Sequence, residues 1–263
     1  MLRIRERDET HIQVNRDLLD EFAWTLADAV WDVALLQECP PRWTPTLAIV
    51  CDAEGHGVLT SRNSLAGLRA FLARLNPDLV SSSEGGSNLT LVRSGAGQIV
   101  ERRELELRSG PRPERRAMAF TRLRLERGAG ELCVSNLHGS AGRSNVELAE
   151  EEVLSAAERS VEWAADTPLV FGGDLNLRPA ESDVYEQLAQ GFGLRGPTAP
   201  DSLDHLLVRG LTPVTPVRTW DPEQREVTED GLAIRLSDHA PVVAALELDD
   251  ATPNAAPARP DAG

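Results

Sequence analysis

Leu169-Val170-Phe171-Gly172-Gly173-Asp174-Leu175-Asn176, residues 169–176, sets three apolar residues against two glycines, a carboxylate and an amide. The apolar trio reads as a strand, and the amphipathic helical pattern over residues 146–164 before it suits an α/β arrangement. The glycines let the backbone turn tightly at the strand end, so Asp174 and Asn176 both face the crevice where ligands collect in such sheets. Three other short runs close or open apolar stretches in the same way: Leu36-Gln37-Glu38, Asn136-Leu137-His138 and Ser237-Asp238-His239. A carboxylate, a histidine, an Asp/Asn pair and an Asp-His pair at one sheet edge suit a hard divalent metal and a phosphate ester.

Outward from that core, residues 17–30 carry Leu18, Phe22, Leu26 and Val30 at helical spacing behind Asn15, a plausible cap. Residues 31–37 read as a short strand buried on both faces. A second helix is predicted over 65–75 between strand-like 57–60 and 78–81, ending at Asn76-Pro77. Four strands follow at 87–93, 98–107, 116–126 and 131–136, and their short turns imply antiparallel pairing. After the helix at 146–164 come strand 168–171, a short helix at 183–188 and strands near 203–208, 214–218 and 241–248. Strand runs punctuated by helices predict a two-sheet α/β sandwich with helices packed outside. The expected division is a charged N-terminal segment over 1–16, one domain over 17–248 and a disordered tail over 249–263, where almost nothing can be buried.

The 263 residues suffice for one sizeable core. A formal charge of −15 argues against broad, charge-driven adhesion to nucleic acid or anionic membranes, which needs clustered cations. One region runs the other way: nine arginines stand against four glutamates between Arg102 and Arg127. They are either the solvated faces of hairpin strands or a substrate-facing rim. All 27 basic residues other than histidine are arginine, which excludes a Schiff-base lysine, a P-loop lysine and a Ser-Lys dyad. Cys39, Cys51 and Cys133 show no paired spacing, so neither a disulfide framework nor a zinc knuckle follows and a reducing compartment is the natural setting. The first thirty residues contain no apolar leader and no stretch reaches membrane-spanning length, so a cytoplasmic protein is expected.

Each chemical residue has a plain alternative. Asp174 can bind Mg²⁺ or orient water while the Asn176 amide grips a phosphoryl oxygen, or the pair can form an ordinary Asx turn. Asp238 beside His239 offers a metal ligand and an imidazole for phosphate binding or acid–base work, or a solvated loop dyad. His138 ends an apolar run and stands at a strand terminus. Glu84, in a Gly-rich turn, could reach it and fix its tautomer. Asp204, within Ser202-Leu203-Asp204-His205, lies inside another apolar strand, where a carboxylate needs a partner; His239 is the candidate.

Together, and in this order, the runs resemble the endonuclease/exonuclease/phosphatase superfamily, which includes pancreatic-type deoxyribonucleases, abasic-site endonucleases, neutral sphingomyelinases and inositol polyphosphate 5-phosphatases. The resemblance covers about residues 17–248. It implies a four-layered α/β sandwich, two packed mixed β-sheets with helices on the outer faces, hydrolysing phosphate esters with Mg²⁺ or Mn²⁺. By resemblance, Glu38 is the principal metal ligand and Asp238 a further one. Asp174 and Asn176 form the water-orienting and phosphate-holding pair, His239 contacts the scissile phosphate with Asp204 orienting it, and His138 is the deoxyribonuclease-type acid.

The chain departs from that pattern at its start. The family's first strand ends in an Asn that assists metal binding, and Asn15 is the only counterpart. Either residues 11–15 are a shrunken first strand, or the chain as given begins downstream of that strand. The leading expectation is a metal-dependent phosphoesterase acting on a small phosphodiester or monoester, or on nucleic acid, with no membrane partner. The alternative is a non-catalytic or truncated relative that acts as a ligand-binding module.

Overall fold

The computed structural model describes residues 3–4, 12–13, 17–60, 86–109, 115–126, 130–196, 198–229 and 231–249. The helix expected over 65–75, the strand at 78–81, Asn15, Glu84 and the tail from residue 250 lie outside them. Two sheets stack face to face. The larger runs β10-β9-β8-β7-β6, built from β6 (Gly97–Ser109), β7 (Arg115–Leu125), β8 (Glu131–His138), β9 (Leu169–Asp174) and β10 (Asp204–Arg209). The smaller runs β3-β5-β4, built from β3 (Val33–Cys39), β4 (Ala53–Leu59) and β5 (Ser87–Arg93). β8 and β9 are parallel, joined by helix α3 (Val146–Ala164), and the other pairings in both sheets are antiparallel.

Helices cover both outer faces, which gives the four layers. α3 turns Ala149, Val153, Ala156, Ala157 and Ala164 onto the larger sheet, and these small side chains let the helix approach Phe120, Phe171 and Leu137 closely. Each large apolar side chain so buried contributes about 1.5–3 kcal/mol. α4 (Val184–Phe192) closes the same cluster with Val184 and Leu188. On the other side α1 (Leu19–Asp28) and α2 (Thr44–Val50) pack Ala23, Leu26 and Leu47 against Leu89 and Leu91 of β5. α1 has no basic residue in its last turn. Arg93 of β5 supplies the charge instead, donating to the Ala27 and Ala29 carbonyls and stacking over Trp31.

The structure corrects several expectations. β5 and β6 follow one another on a short turn yet belong to opposite sheets, so the middle region is not one antiparallel run. The strand expected at 31–37 is only half-buried, because β3 pairs with β5 alone among the described strands. Beside its outer edge a 750 Å³ cleft opens, walled by Val33, Leu35, Val134, Val170, Leu206 and Leu246. Within residues 11–15, β2 (Ile12–Gln13) is a strand of two residues, and it pairs with β1 (Arg3–Ile4). Residues 211–248 break into short pieces, β11 (Leu211–Pro213), β12 (Arg218–Thr219), β13 (Glu226–Glu229), β14 (Leu232–Arg235), β15 (Val242–Val243) and β16 (Leu246–Leu248). The strand expected at 214–218 is therefore absent apart from Arg218, and α2 was not anticipated.

Several polar groups sealed between the layers are paired. His56 of β4 lies 2.8 Å from the Thr121 hydroxyl of β7. Burial, then the charge of Arg102, pulls its pKa down to about 4. His205 accepts from the Thr198 amide at Nδ1 and reaches the Leu177 and Ser202 carbonyls through Nε2, so it is neutral and structural. In the unfolded chain His56 gains a proton below its ordinary 6.5, whereas the folded chain resists until about 4. Stability present above pH 6.5 is therefore lost progressively as pH falls through that window, by about 1.4 kcal/mol per unit for such a group. His56→Gln should flatten this acid limb in urea titrations; an unchanged slope would show that His56 does not carry it.

Candidate active site

Sheet register assembles the centre of the site. His138, the last residue of β8, stands opposite Asp174, the last of β9, and Asp174 stands opposite Asp204, the first of β10. One row thus carries an imidazole and two carboxylates on three neighbouring strands. His138 Nε2 lies 3.6 Å from Asp174 Oδ2. His239, from the loop between β14 and β15, closes the group: its Nδ1 is 2.7 Å from Asp204 Oδ2 and 3.8 Å from Asp174 Oδ2.

The row is this tight because β9 has no Cβ where its neighbours come closest. A Cβ at Gly172 would lie 2.6 Å from the His205 carbonyl oxygen, and one at Gly173 would lie 2.0 Å from that of Leu137. Gly173 also has φ of +124°, a region side chains resist. The two glycines therefore serve close strand approach as well as the turn after the strand. That turn is an Asx turn: the Asn176 amide N–H donates to Asp174 Oδ1 at 3.0 Å, and the Asn176 side-chain amide donates to the Gly139 carbonyl at 3.1 Å. Beyond His138 the chain is held by buried Glu152 of α3, which accepts from both the amide and the hydroxyl of Ser140.

Glu38 arrives from the facing sheet. Pairing between β3 and β5 slips between Leu36 and Cys39, and Glu38 takes a left-handed φ of 54° within the slip. Gly86 makes room, since a Cβ there would sit 2.7 Å from the Glu38 Cα. The bulge lifts the Glu38 carboxylate out of the sheet, 79% exposed and 4.0 Å from His138 Nδ1. Asn176 is the second non-glycine residue of the site at a positive φ, also 54°. Left-handed residues store strain that surrounding structure must hold, a pattern concentrated at functional sites.

Asn136 joins the two sheets two residues before His138. Wholly buried, it accepts from Gln37 Nε2 at 2.7 Å and donates to the Leu36 and Leu89 carbonyls at 3.2 and 3.1 Å. Sequence inspection singled out His138 from this run and overlooked Asn136, although a polar residue in an apolar strand was signal enough that it needed partners.

Negative charge is crowded here. Burial, then Asp204, raises the Asp174 carboxyl to about 6, with Glu38 adding to the effect. The hydrogen bond to Asp204 leads the causes that raise His239 to about 9. Burial, then Arg116 and His239, lowers His138 to about 4. Ligand atoms of Asp174, Asp204 and His239 all lie within 4.8 Å of one another, close enough to share a cation. Glu38 and Asp238 stand outside that trio, and Asp238 is exposed. Of the residues singled out from sequence, Glu38, His138, Asp174, Asn176, Asp204 and His239 converge here; Asn15 and Glu84 fall outside the described residues.

The model of the Endonuclease/Exonuclease/phosphatase family matches residues 6–239. No curated protein matches the sequence. The fold resembles the human Nocturnin catalytic domain, solved with bound sulfate, at TM-score 0.60 and 17% identity over 82% of this chain and 81% of that one. It resembles a mannosyl-6-phosphatase of Bacteroides thetaiotaomicron at TM-score 0.61 and 15% identity over 88% and 90%. A further protein of the same organism, described as of the endonuclease/exonuclease/phosphatase family, aligns at TM-score 0.66 and 14% identity over 88% and 86%. Among the described residues no helix is long and apolar enough to cross a membrane.

Gly173→Ala should destabilise the protein by about 3 kcal/mol or more, since both a backbone clash and a disfavoured φ oppose it. A urea midpoint within error of the parent would overturn this account of the β8–β9 approach.

Proposed function

Because the chain belongs to the Endonuclease/Exonuclease/phosphatase family, whose members hydrolyse phosphate esters, we propose that it does so with Mg²⁺ or Mn²⁺ through in-line attack of a water oriented at Asp174. The observation that supports this most is the single row of His138, Asp174 and Asp204, closed by His239 from a distant loop. Structural needs alone do not call for two carboxylates and two imidazoles at one strand edge, where unpaired charge is costly.

The donor chemistry fits a hard cation. Oxygen ligands are in excess, and burial, then the neighbouring Asp204 charge, raises the Asp174 carboxyl, a cost that a nearby cation would reduce. We assign the ion to Glu38 with Asp238, where it would neutralise charge on the phosphoryl oxygens and on the leaving oxygen. The protein's own groups do the rest. Asp204 fixes His239, whose charged ring contacts a phosphoryl oxygen. Asp174 orients the attacking water, and Asn176 offers an amide donor without adding negative charge. His138, neutral in the free site, takes up a proton from solvent as the negative phosphoryl group beside it raises its basicity and delivers that proton to the leaving oxygen, while the proton of the attacking water passes to the Asp174 carboxylate.

The test is turnover of bis(p-nitrophenyl) phosphate and p-nitrophenyl phosphate with Mg²⁺ or Mn²⁺. Chelator should abolish it, and metal should restore it. Asp174→Ala and His239→Ala should each lower kcat by about a hundredfold or more while the thermal midpoint stays within a few degrees. Folded, metal-loaded protein that turns over neither substrate yet binds phosphate would favour the non-catalytic binding module.

A further inference from the structure

Strand register places His138, Asp174 and Asp204, but His239 comes from a loop outside both stacked sheets, and that loop needs its own support. It runs Ser237-Asp238-His239-Ala240-Pro241, between β14 and β15. One short segment, residues 220–225, holds both of its ends.

At the far end the Trp220 N–H donates to the Pro241 carbonyl at 2.9 Å, one step beyond Thr219 opposite Val242 in the β12–β15 ladder. At the near end the Leu236 N–H donates to the Arg225 carbonyl at 2.9 Å, one step beyond Glu226 opposite Arg235 in the β13–β14 ladder. There the Arg225 side chain takes over from the backbone: its guanidinium donates to the Ser237 carbonyl at 3.0 Å. Both anchors are stiffened in turn. The Asp221 side chain accepts from the Gln224 backbone amide, and the Gln224 side chain accepts from the Asp221 N–H at 2.9 Å, which closes the turn before Arg225. Arg235 Nε and a terminal nitrogen of the same guanidinium both lie 3.0 Å from Glu226 Oε1, with both side chains largely shielded from solvent.

Peptide planarity converts these bonds into side-chain direction. The Ser237 carbonyl shares a plane with the Asp238 Cα, so aiming it at Arg225 fixes how the chain enters Asp238. At the other end the Pro241 ring locks its own φ and biases Ala240 towards extended backbone. Little freedom remains between the anchors, and His239 Nδ1 arrives 2.7 Å from Asp204 Oδ2. A guanidinium suits this task, because a charged donor bonds a carbonyl more strongly than a neutral one and does not lose its proton.

We infer that Arg225 is a positioning residue, which acts through the Ser237 carbonyl to hold His239 against Asp204. This rests on the hydrolase reading above, in which the His239 ring contacts a phosphoryl oxygen. Displacing such a group by about 1 Å costs about a hundredfold in rate.

The experiment compares Arg225→Gln, Arg225→Lys and Arg218→Gln in the full chain, loaded with Mn²⁺ or Mg²⁺. Arg218 also lines the 750 Å³ cleft, but it is exposed on β12, so its replacement controls for loss of charge alone. Arg225→Gln should lower kcat on bis(p-nitrophenyl) phosphate by about tenfold or more, with KM within about twofold of the parent. Arg225→Lys, which keeps a charged donor, should recover much of that loss, and Arg218→Gln should match the parent. Hydrogen exchange, read without substrate, should quicken by about tenfold in the peptide spanning residues 236–243 of Arg225→Gln and stay unchanged elsewhere.

A raised KM with unchanged kcat would make Arg225 a substrate contact and overturn the inference. Parent kcat would overturn it too, as would a lower kcat without faster exchange in the loop. A thermal midpoint lower by more than about ten degrees would make Arg225 a general structural residue instead. A parent protein that turns over neither bis(p-nitrophenyl) phosphate nor p-nitrophenyl phosphate with either metal removes the hydrolase reading, and this inference with it. The exchange readout needs no turnover, so it tells that failure from a failure of the Arg225 anchor.

Discussion

The site depends on Asn136. Its amide is sealed between the two sheets, takes a hydrogen bond from Gln37 and gives two to the Leu36 and Leu89 carbonyls, so three strands in two sheets are tied to one side chain. Two residues beyond Leu36 stands Glu38, and two beyond Asn136 stands His138. Buried polar groups are costly unless every bond is made, so this arrangement has few alternatives of comparable energy. The relative placement of the facing sheets, and with it the 4.0 Å approach of Glu38 to His138, is thereby restricted.

Around that tie the protein accepts strain and charge that a purely structural sheet edge would avoid. Glu38 and Asn176 sit in left-handed backbone, and Asp174 is buried beside Asp204. Each cost is local and is offset by the layers on either side. α3 contributes an apolar face and the Glu152 anchor to the loop after His138, and the glycines of β9 let β8, β9 and β10 close into one row. The hydrolysis proposed for this site would use this same arrangement of fixed dipoles and imidazoles in a partly dry crevice.

Charge elsewhere follows a different logic. The basic hairpin and its glutamates cancel across β6, β7 and β8, while α1 draws its terminal cation from Arg93 of β5. A count of arginines along the chain could not foresee this, because pairing depends on which residues share a ladder. The same limit explains β5 and β6. Their connecting turn is short enough for a hairpin, but β5 pairs on both sides with β3 and β4, and β6 passes to the opposite sheet.

The sequence by itself determined that Glu38, His138, Asp174 and Asp204 would stand at or beside strand ends. An apolar run bounded by glycine and polar residues is a local fact, set by side-chain hydrophobicity and backbone freedom. It also determined the long helix between β8 and β9, whose apolar positions recur at helical spacing. Only the tertiary structure decided that His138, Asp174 and Asp204 share one row, that His239 reaches Asp204, and that Glu38 is presented by a bulge. Those outcomes rest on hydrogen bonds such as Gln37 to Asn136, between residues 99 apart in the chain. Strand register over such separations is chosen by the packing of whole layers, and no short window of residues contains it.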